Sequence, residues 1–282
     1  MQTVVIVGVG LIGGSFGLAL KSAGFRGLIL GVSSPQTVGK ALRRGAIDEG
    51  ASLEEAARRA DLVYLAGPIR AILDTLPKLA GLVRAGALVT DAGSTKRRIC
   101  EAGRALRSGL FLGGHPMAGK EKRGVEEADA ELFRGRPYLL TPARPEDLET
   151  PAAGGFLEWL RRIGAEPRVM APDEHDRVVA LGSHLPQMIS TALAATLAAQ
   201  EDAGKVAQAA GPGLLDMTRL ALSGWEIWRD ILETNRDEIV RAIGLFEERI
   251  HALRTELEGG LPEEDFRRGA EFAHQVRQGR SL

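Results

Sequence analysis

The chain has 282 residues, 44% hydrophobic and 26% charged, which allows one large domain or two ordinary ones with a full-sized core. The formal net charge is −1, so no excess of basic charge argues for nucleic acid. The opening apolar run is soon broken by glycines and has no basic stretch before it, so neither a membrane span nor a secretory signal is expected, and the single cysteine, Cys100, suits a reducing, cytoplasmic compartment.

Thr3 to Val7 is a β-branched strand pattern, followed by the turn Gly8-Val9-Gly10-Leu11-Ile12-Gly13 and a helical stretch to about Ala23. Leu28 to Val32 reads as a second strand and Gln36 to Arg44 as a helix. Asp61 to Ala66, ended by Gly67-Pro68, is a third strand, with a helix from Ile69 to Leu82. Ala87 to Asp91 is a fourth, followed by a helix from Thr95 to Leu106. Leu110 to Gly113 and Pro137 to Thr141 are shorter strands. Apolar strands separated by helices predict an α/β fold with a doubly wound, mostly parallel sheet.

After Val169 no strand pattern competes. Pro172 can open a helix, and Ile189 to Ala199, Leu214 to Leu222, Trp225 to Thr234 and Arg236 to Leu257 all read as helical. Gly259-Gly260-Leu261-Pro262 ends the last of these before a polar, charged tail. The expected organisation is a sheet domain over residues 1–168 and an all-helical domain over 169–282.

A glycine hexapeptide alone is a weak signal, but this one follows a strand and opens a helix, the context of a dinucleotide site. Gly8 permits the tight turn, Gly10 lets the backbone approach a pyrophosphate, and Gly13 lets helix and strand pack closely. Leu11 and Ile12, in the same turn, complete the cofactor-binding set. The alternative is a tight strand–helix turn without a ligand. An NAD site usually has an acid at the end of the second strand, where this chain has Ser33 and Ser34 and no acid before Asp48. Serine hydroxyls can donate to a 2′-phosphate that a carboxylate would repel, so NADP⁺ is favoured and NAD⁺ stays open. Lys40, Arg43 and Arg44 follow, and solvated helix charges would explain them equally well.

Gly113-Gly114-His115-Pro116-Met117-Ala118-Gly119 places a histidine on what reads as a loop at the sheet edge. Its imidazole can take a proton from a substrate hydroxyl while hydride leaves the same carbon; bonding to nearby backbone is the bland reading. Ser94, after the fourth strand, is placed like a helix N-cap, or to hold a histidine or a substrate oxygen. His184 and Arg219 in the helical half read singly as capping or salt-bridge residues, although an arginine also suits a carboxylate. His175-Asp176 and His184 have no metal-ligand spacing, and no metal is expected.

Taken together, VGVGLIGGS, DLVYLAGP, TDAGSTK, GGHPMAG, SHLPQ and DMTRLA, in this order from about residue 3 to residue 250, resemble the prephenate and arogenate dehydrogenases of tyrosine biosynthesis. The resemblance implies a Rossmann domain joined to a helical dimerisation domain, hence a homodimer. It also implies NAD(P)⁺-dependent oxidative decarboxylation of prephenate, arogenate or both, to 4-hydroxyphenylpyruvate or tyrosine. By motif, His115 bonds the ring C4 hydroxyl and assists proton removal, and Ser94 orients both. His184 and Arg219 bind substrate, Arg219 at a carboxylate. Ser33 resembles NADP-using members. With no chorismate-mutase-like segment before residue 1 and no regulatory domain after about residue 260, a monofunctional enzyme inhibited by tyrosine at its active site is expected. The alternative is a β-hydroxyacid dehydrogenase or imine reductase of similar architecture. Such hydroxyacid enzymes use a lysine in the helical domain, for which Lys205 is a poor candidate.

Overall fold

The computed structural model describes residues 1–120 and 122–279. Among them, eight strands form one sheet: β1 Thr3–Val7, β2 Leu28–Val32, β3 Glu49–Gly50, β4 Leu62–Leu65, β5 Leu88–Asp91, β6 Leu110–Pro116, β7 Pro137–Thr141 and β8 Glu166–Val169. Their order is β3-β2-β1-β4-β5-β6-β7-β8. The pairs from β3 to β6 are parallel, β7 runs antiparallel to β6, and β8 is parallel to β7.

Helices α1 Leu11–Ser22, α2 Pro35–Arg43, α3 Leu53–Arg59, α4 Ile69–Leu79, α5 Arg97–Gly103 and α6 Pro151–Arg162 belong to this half. Every residue of β4 and β5 is buried, which is why these strands read as unbroken apolar runs rather than alternating ones. Phe16 of α1 stacks on Tyr64 of β4 at 4.1 Å between ring centroids and meets Phe133 and Phe156 edge-on. The strand order reverses between β1 and β4, which opens a crevice beyond the strand C-termini.

The remaining helices are α7 Pro172–Val179, α8 Leu185–Ala198, α9 Ala203–Gln208, α10 Pro212–Thr218, α11 Trp225–Thr234, α12 Arg236–Gly259 and α13 Glu263–Gln278. A π-turn, Ala180–His184, joins α7 to α8. The segment expected as a polar tail is therefore largely the helix α13.

Packing divides the chain into two compact units: Met1–Val179 with Ser223–Asn235, and Ala180–Leu222 with the chain from Arg236 on. The expected limits at residue 168 follow chain order, whereas the units interleave. Helix α11 packs in the sheet unit, where Asp230 accepts from the Arg70 N–H at 3.1 Å and Thr234 bonds Thr95 at 2.8 Å.

One helical run, Pro172–Ala198, is long and apolar enough by length and composition to cross a membrane, where none was expected. Only its later part is apolar. Its first turns carry Asp173, Glu174, Asp176 and Arg177, with Asp176 buried in the sheet unit.

Candidate active site

The chain leaves β1 through Gly8 at φ +89°, where a Cβ would lie 2.7 Å from the Gly67 backbone nitrogen. A Cβ on Gly13 would lie 2.3 Å from the Gly8 carbonyl oxygen. Gly10 differs, because nothing lies within 4 Å of a Cβ built there and the residue lines an open cavity. These are the separate tasks of tight turn, close packing and unobstructed approach that a pyrophosphate site requires. Helix α1 has no side-chain cap and no acid in its first turn, so its N-terminal N–H groups suit an anion. The residues present therefore fit a dinucleotide.

The cavity has a volume of 420 Å³ and collects the strand ends: Gly10 after β1, Gly67 after β4, Ser94 after β5 and Gly119 after β6. Lys120 and Arg123 also line it, as do Glu226 and Asp230 of α11. Nothing local in the sequence marks these four, since their meeting depends on the return of α11 to the sheet unit.

At the end of β2, Ser33 is exposed, and Ser34 caps α2 by accepting from the Thr37 N–H at 3.3 Å. Asp48 accepts from the Ile29 N–H at 2.8 Å and from Lys21 at 2.6 Å, so it serves the beginning of β2 rather than its C-terminal end. Lys40 pairs with Glu126, and Arg44 donates to the Ala128 carbonyl at 2.6 Å.

His115 lies within β6, opposite Leu139 of β7, and not on a loop. The strand outruns the expected Gly113 because its end pairs with β7. Both preceding glycines are sterically required. A Cβ on Gly113 would lie 2.2 Å from Thr141 Oγ1, and one on Gly114 2.6 Å from the Asp91 carbonyl oxygen. His115 is 8% exposed, and its Nδ1 lies 2.9 Å from His175 Nε2. His175 Nδ1 in turn lies 2.8 Å from Asp176 Oδ1.

Ser94 is half-buried and lines the cavity, but it caps no helix. Helix α5 begins only at Arg97, and Asp176 caps it from α7 by accepting from the N–H groups of Lys96 at 2.7 Å and Arg97 at 3.0 Å. The fully buried Lys96 ammonium pairs with the fully buried Asp91. Asp91 also accepts from the N–H groups of Gly93 at 2.8 Å and Gly114 at 3.0 Å, which ties the Ser94 loop to the His115 strand.

Burial alone would raise the Asp176 carboxyl, but hydrogen bonds from His175 and from the Arg97 and Lys96 N–H groups hold it below its ordinary value. Burial pushes His175 below its ordinary value, with Asp176 opposing. Burial also pushes the Cys100 thiol up to about 11, which suits an inert side chain rather than a nucleophile.

In the helical unit, His184 is buried at the start of α8 and makes no side-chain cap there. Arg219 is exposed where α10 passes into the 3-10 turn Arg219–Leu222. That turn is tied to α8, because Gln187 donates to the Leu220 carbonyl at 2.8 Å and Ser190 accepts from the Ala221 N–H at 3.0 Å.

Two family models match the chain. "Prephenate dehydrogenase, nucleotide-binding domain" covers residues 16–166, and "Prephenate dehydrogenase, dimerization domain" covers residues 171–271. The chain belongs to the prephenate dehydrogenase family. Its 35% identity to the prephenate dehydrogenase of Lactococcus lactis subsp. cremoris extends over 262 residues, 90% of this chain and 70% of that protein. The Aquifex aeolicus prephenate dehydrogenase, solved with hydroxyphenyl propionate and NAD⁺, superposes with a TM-score of 0.84 at 33% identity, covering 100% of this chain and 98% of that one. The Synechocystis arogenate dehydrogenase gives a TM-score of 0.79 at 30% identity, covering 99% of each chain.

The activity is that of a prephenate dehydrogenase in the broad sense, NAD(P)-dependent oxidative decarboxylation of a cyclohexadienyl substrate. The hydroxyacid-dehydrogenase alternative shares the fold alone, as the 15% identity to a solved 3-hydroxyisobutyrate dehydrogenase shows. As a prephenate dehydrogenase the chain carries a dimerisation domain, and large apolar side chains such as Leu215, Leu222, Phe266 and Phe272 are exposed on its helical unit. The nucleotide-binding family model begins at residue 16, beyond the glycine turn, where the spacing and contacts of Gly8, Gly10 and Gly13 themselves fit a dinucleotide.

Proposed function

We propose that His115 is the proton acceptor of this reaction, acting on the ring C4 hydroxyl of prephenate, arogenate or both. The observation that carries the reading is a nearly buried histidine at the end of β6, tied through Asp91 to the loop whose Ser94 lines the cavity beside the glycine turn. When bound, the nicotinamide supplies the hydride acceptor. Ser94 orients the hydroxyl, His115 takes its proton, and the ring carboxylate leaves as CO₂ on aromatisation. The protein's contribution is mainly to position groups and to accept one proton. Gly8, Gly10, Leu11, Ile12 and Gly13 hold the dinucleotide. Residues 1–168 supply the glycine turn, Ser94 and His115, and residues 169–282 bring the dimer contacts and the substrate-binding pair His184 and Arg219. One assay series tests the reading: each substrate with each cofactor, following reduced nicotinamide. No turnover of either substrate would refute it.

Arg219 binds a substrate carboxylate. Arg219→Gln is expected to raise KM about tenfold or more with a smaller effect on kcat. An unchanged KM removes the assignment.

NADP⁺ is the preferred cofactor, with Ser33 and Ser34 at its 2′-phosphate. The support is that Asp48 is held at the beginning of β2 and the strand's C-terminal end carries an exposed serine. Fluorescence titration is expected to give tighter binding of NADP⁺ than of NAD⁺, and a strong NAD⁺ preference refutes this. The enzyme works as a cytoplasmic homodimer, and tyrosine, which keeps the product ring, competes at the same site.

A further inference from the structure

The hydrogen-bond chain behind His115 constrains its tautomer as well as its position. Asp176 is held as a carboxylate by four donors, the backbone N–H groups of Lys96 and Arg97, the Arg97 guanidinium and His175. A carboxylate only accepts, so the proton between it and His175 belongs to His175 Nδ1. Burial disfavours a second proton on His175, so its Nε2 is the nitrogen left with a lone pair. That lone pair faces His115 Nδ1 at 2.9 Å, so His115 carries its proton on Nδ1. A neutral His115 then has its own lone pair on Nε2.

We propose that His175 and Asp176 are positioning residues that hold His115 in the Nδ1–H tautomer and so leave Nε2 as the proton acceptor. This rests on the reading of His115 as the base. It gives one carboxylate two tasks, since Asp176 caps α5 and orients the histidine pair. Asn235 steadies it further by donating to the Asp176 backbone carbonyl at 2.8 Å. When His115 accepts the hydroxyl proton, its Nδ1–H remains bonded to His175 and the imidazolium is stabilised through the chain that ends on Asp176. The charged groups around His175 are Asp176 on its own helix, Lys96 beyond β5, and Asp91 at the end of β5; Arg97 at the start of α5 lies against Asp176. Lys96 is paired with Asp91 and Arg97 with one oxygen of Asp176, while the other oxygen of Asp176 bonds His175 directly.

Two substitutions at His175 separate positioning from packing. His175→Phe keeps a planar aromatic ring, somewhat larger than imidazole, but neither accepts from His115 nor donates to Asp176. His175→Gln restores both bonds, its carbonyl facing His115 and its amide N–H facing Asp176. His175→Phe is expected to lower kcat at least about tenfold, with KM changed less than about threefold, as loss of tautomer control does in other histidine bases. The acidic limb of kcat/KM moves to lower pH, because the imidazolium loses more than the neutral ring when its acceptor is removed. His175→Gln is expected to recover kcat to within about threefold of the parent. A His175→Phe enzyme with parental kcat and pH profile overturns the proposal, as does equal damage in both variants.

The chain has five histidines, so ¹⁵N-labelled imidazole NMR of the unsubstituted enzyme reads the tautomers directly. Nδ1–H on both His115 and His175 supports the proposal, and Nε2–H on either overturns it, even if His175→Phe does not fold. Parental kcat in His115→Asn would instead refute the base assignment on which the proposal rests, and the NMR result tells that failure from a wrong tautomer.

Discussion

His115→Asn is expected to reduce kcat by about 10²–10⁴-fold while substrate still binds. Asparagine retains a polar side chain able to hydrogen-bond His175, but it has no basic nitrogen to take the hydroxyl proton. Hydride transfer from C4 would then have to proceed against a hydroxyl that keeps its proton, which removes transition-state stabilisation rather than ground-state affinity. The measurement is steady-state kinetics at saturating cofactor, with a thermal melt to verify the fold. A kcat within about threefold of the parent would remove His115 from the chemistry, because general-base catalysis is worth far more than that.

The parts of this site that were legible in the sequence depend on local chain geometry. The glycine turn could be read because its three glycines have fixed tasks within a strand–turn–helix unit, and the clashes that a Cβ would make at Gly8 and Gly13 and the open space at Gly10 match those three roles. The main strands β1, β2, β4 and β5 showed as apolar runs because helices cover both faces. Strands β3, Glu49–Gly50, and β8, Glu166–Val169, are short and polar and owe their existence to neighbours, so periodicity could not find them. Helix α6 was not among the expected elements although its start is readable, with Thr150 capping the Ala153 N–H and Pro151 at the first position.

The catalytic surroundings were harder for the same physical reason. Ser94 looked like a helix cap by sequence, but Asp176, eighty residues beyond Lys96, performs that task. By sequence, His175 and Asp176 suggest at most metal ligands, at a spacing that does not suit a metal. Adjacent helix residues do not normally face each other, so nothing local announced a 2.8 Å bond between them or its continuation to His115.

The second large effect is expected at the buried Asp91–Lys96 pair. Lys96→Met removes the ammonium and leaves the Asp91 carboxylate with no exposed surface, satisfied only by the N–H groups of Gly93 and Gly114. Removing one partner of such a pair costs about 3–5 kcal/mol, because the remaining charge can neither reach water nor find a new counterion. The thermal midpoint should fall accordingly, and a loss below about 1 kcal/mol would show that the carboxylate is already neutral or solvated. Adding Asp91→Asn to Lys96→Met should recover part of the loss, since the double variant buries no charge. Activity is expected to fall in Lys96→Met even below its melting range. Asp91 joins the loop of Ser94 to the strand of His115, and a buried carboxylate left without its counterion would strain the bonds that hold both residues. The recovery in the double variant then separates the two roles of the pair. Stability should return with charge neutrality, but turnover should return only if the amide introduced in place of the Asp91 carboxylate still accepts from the Gly114 N–H.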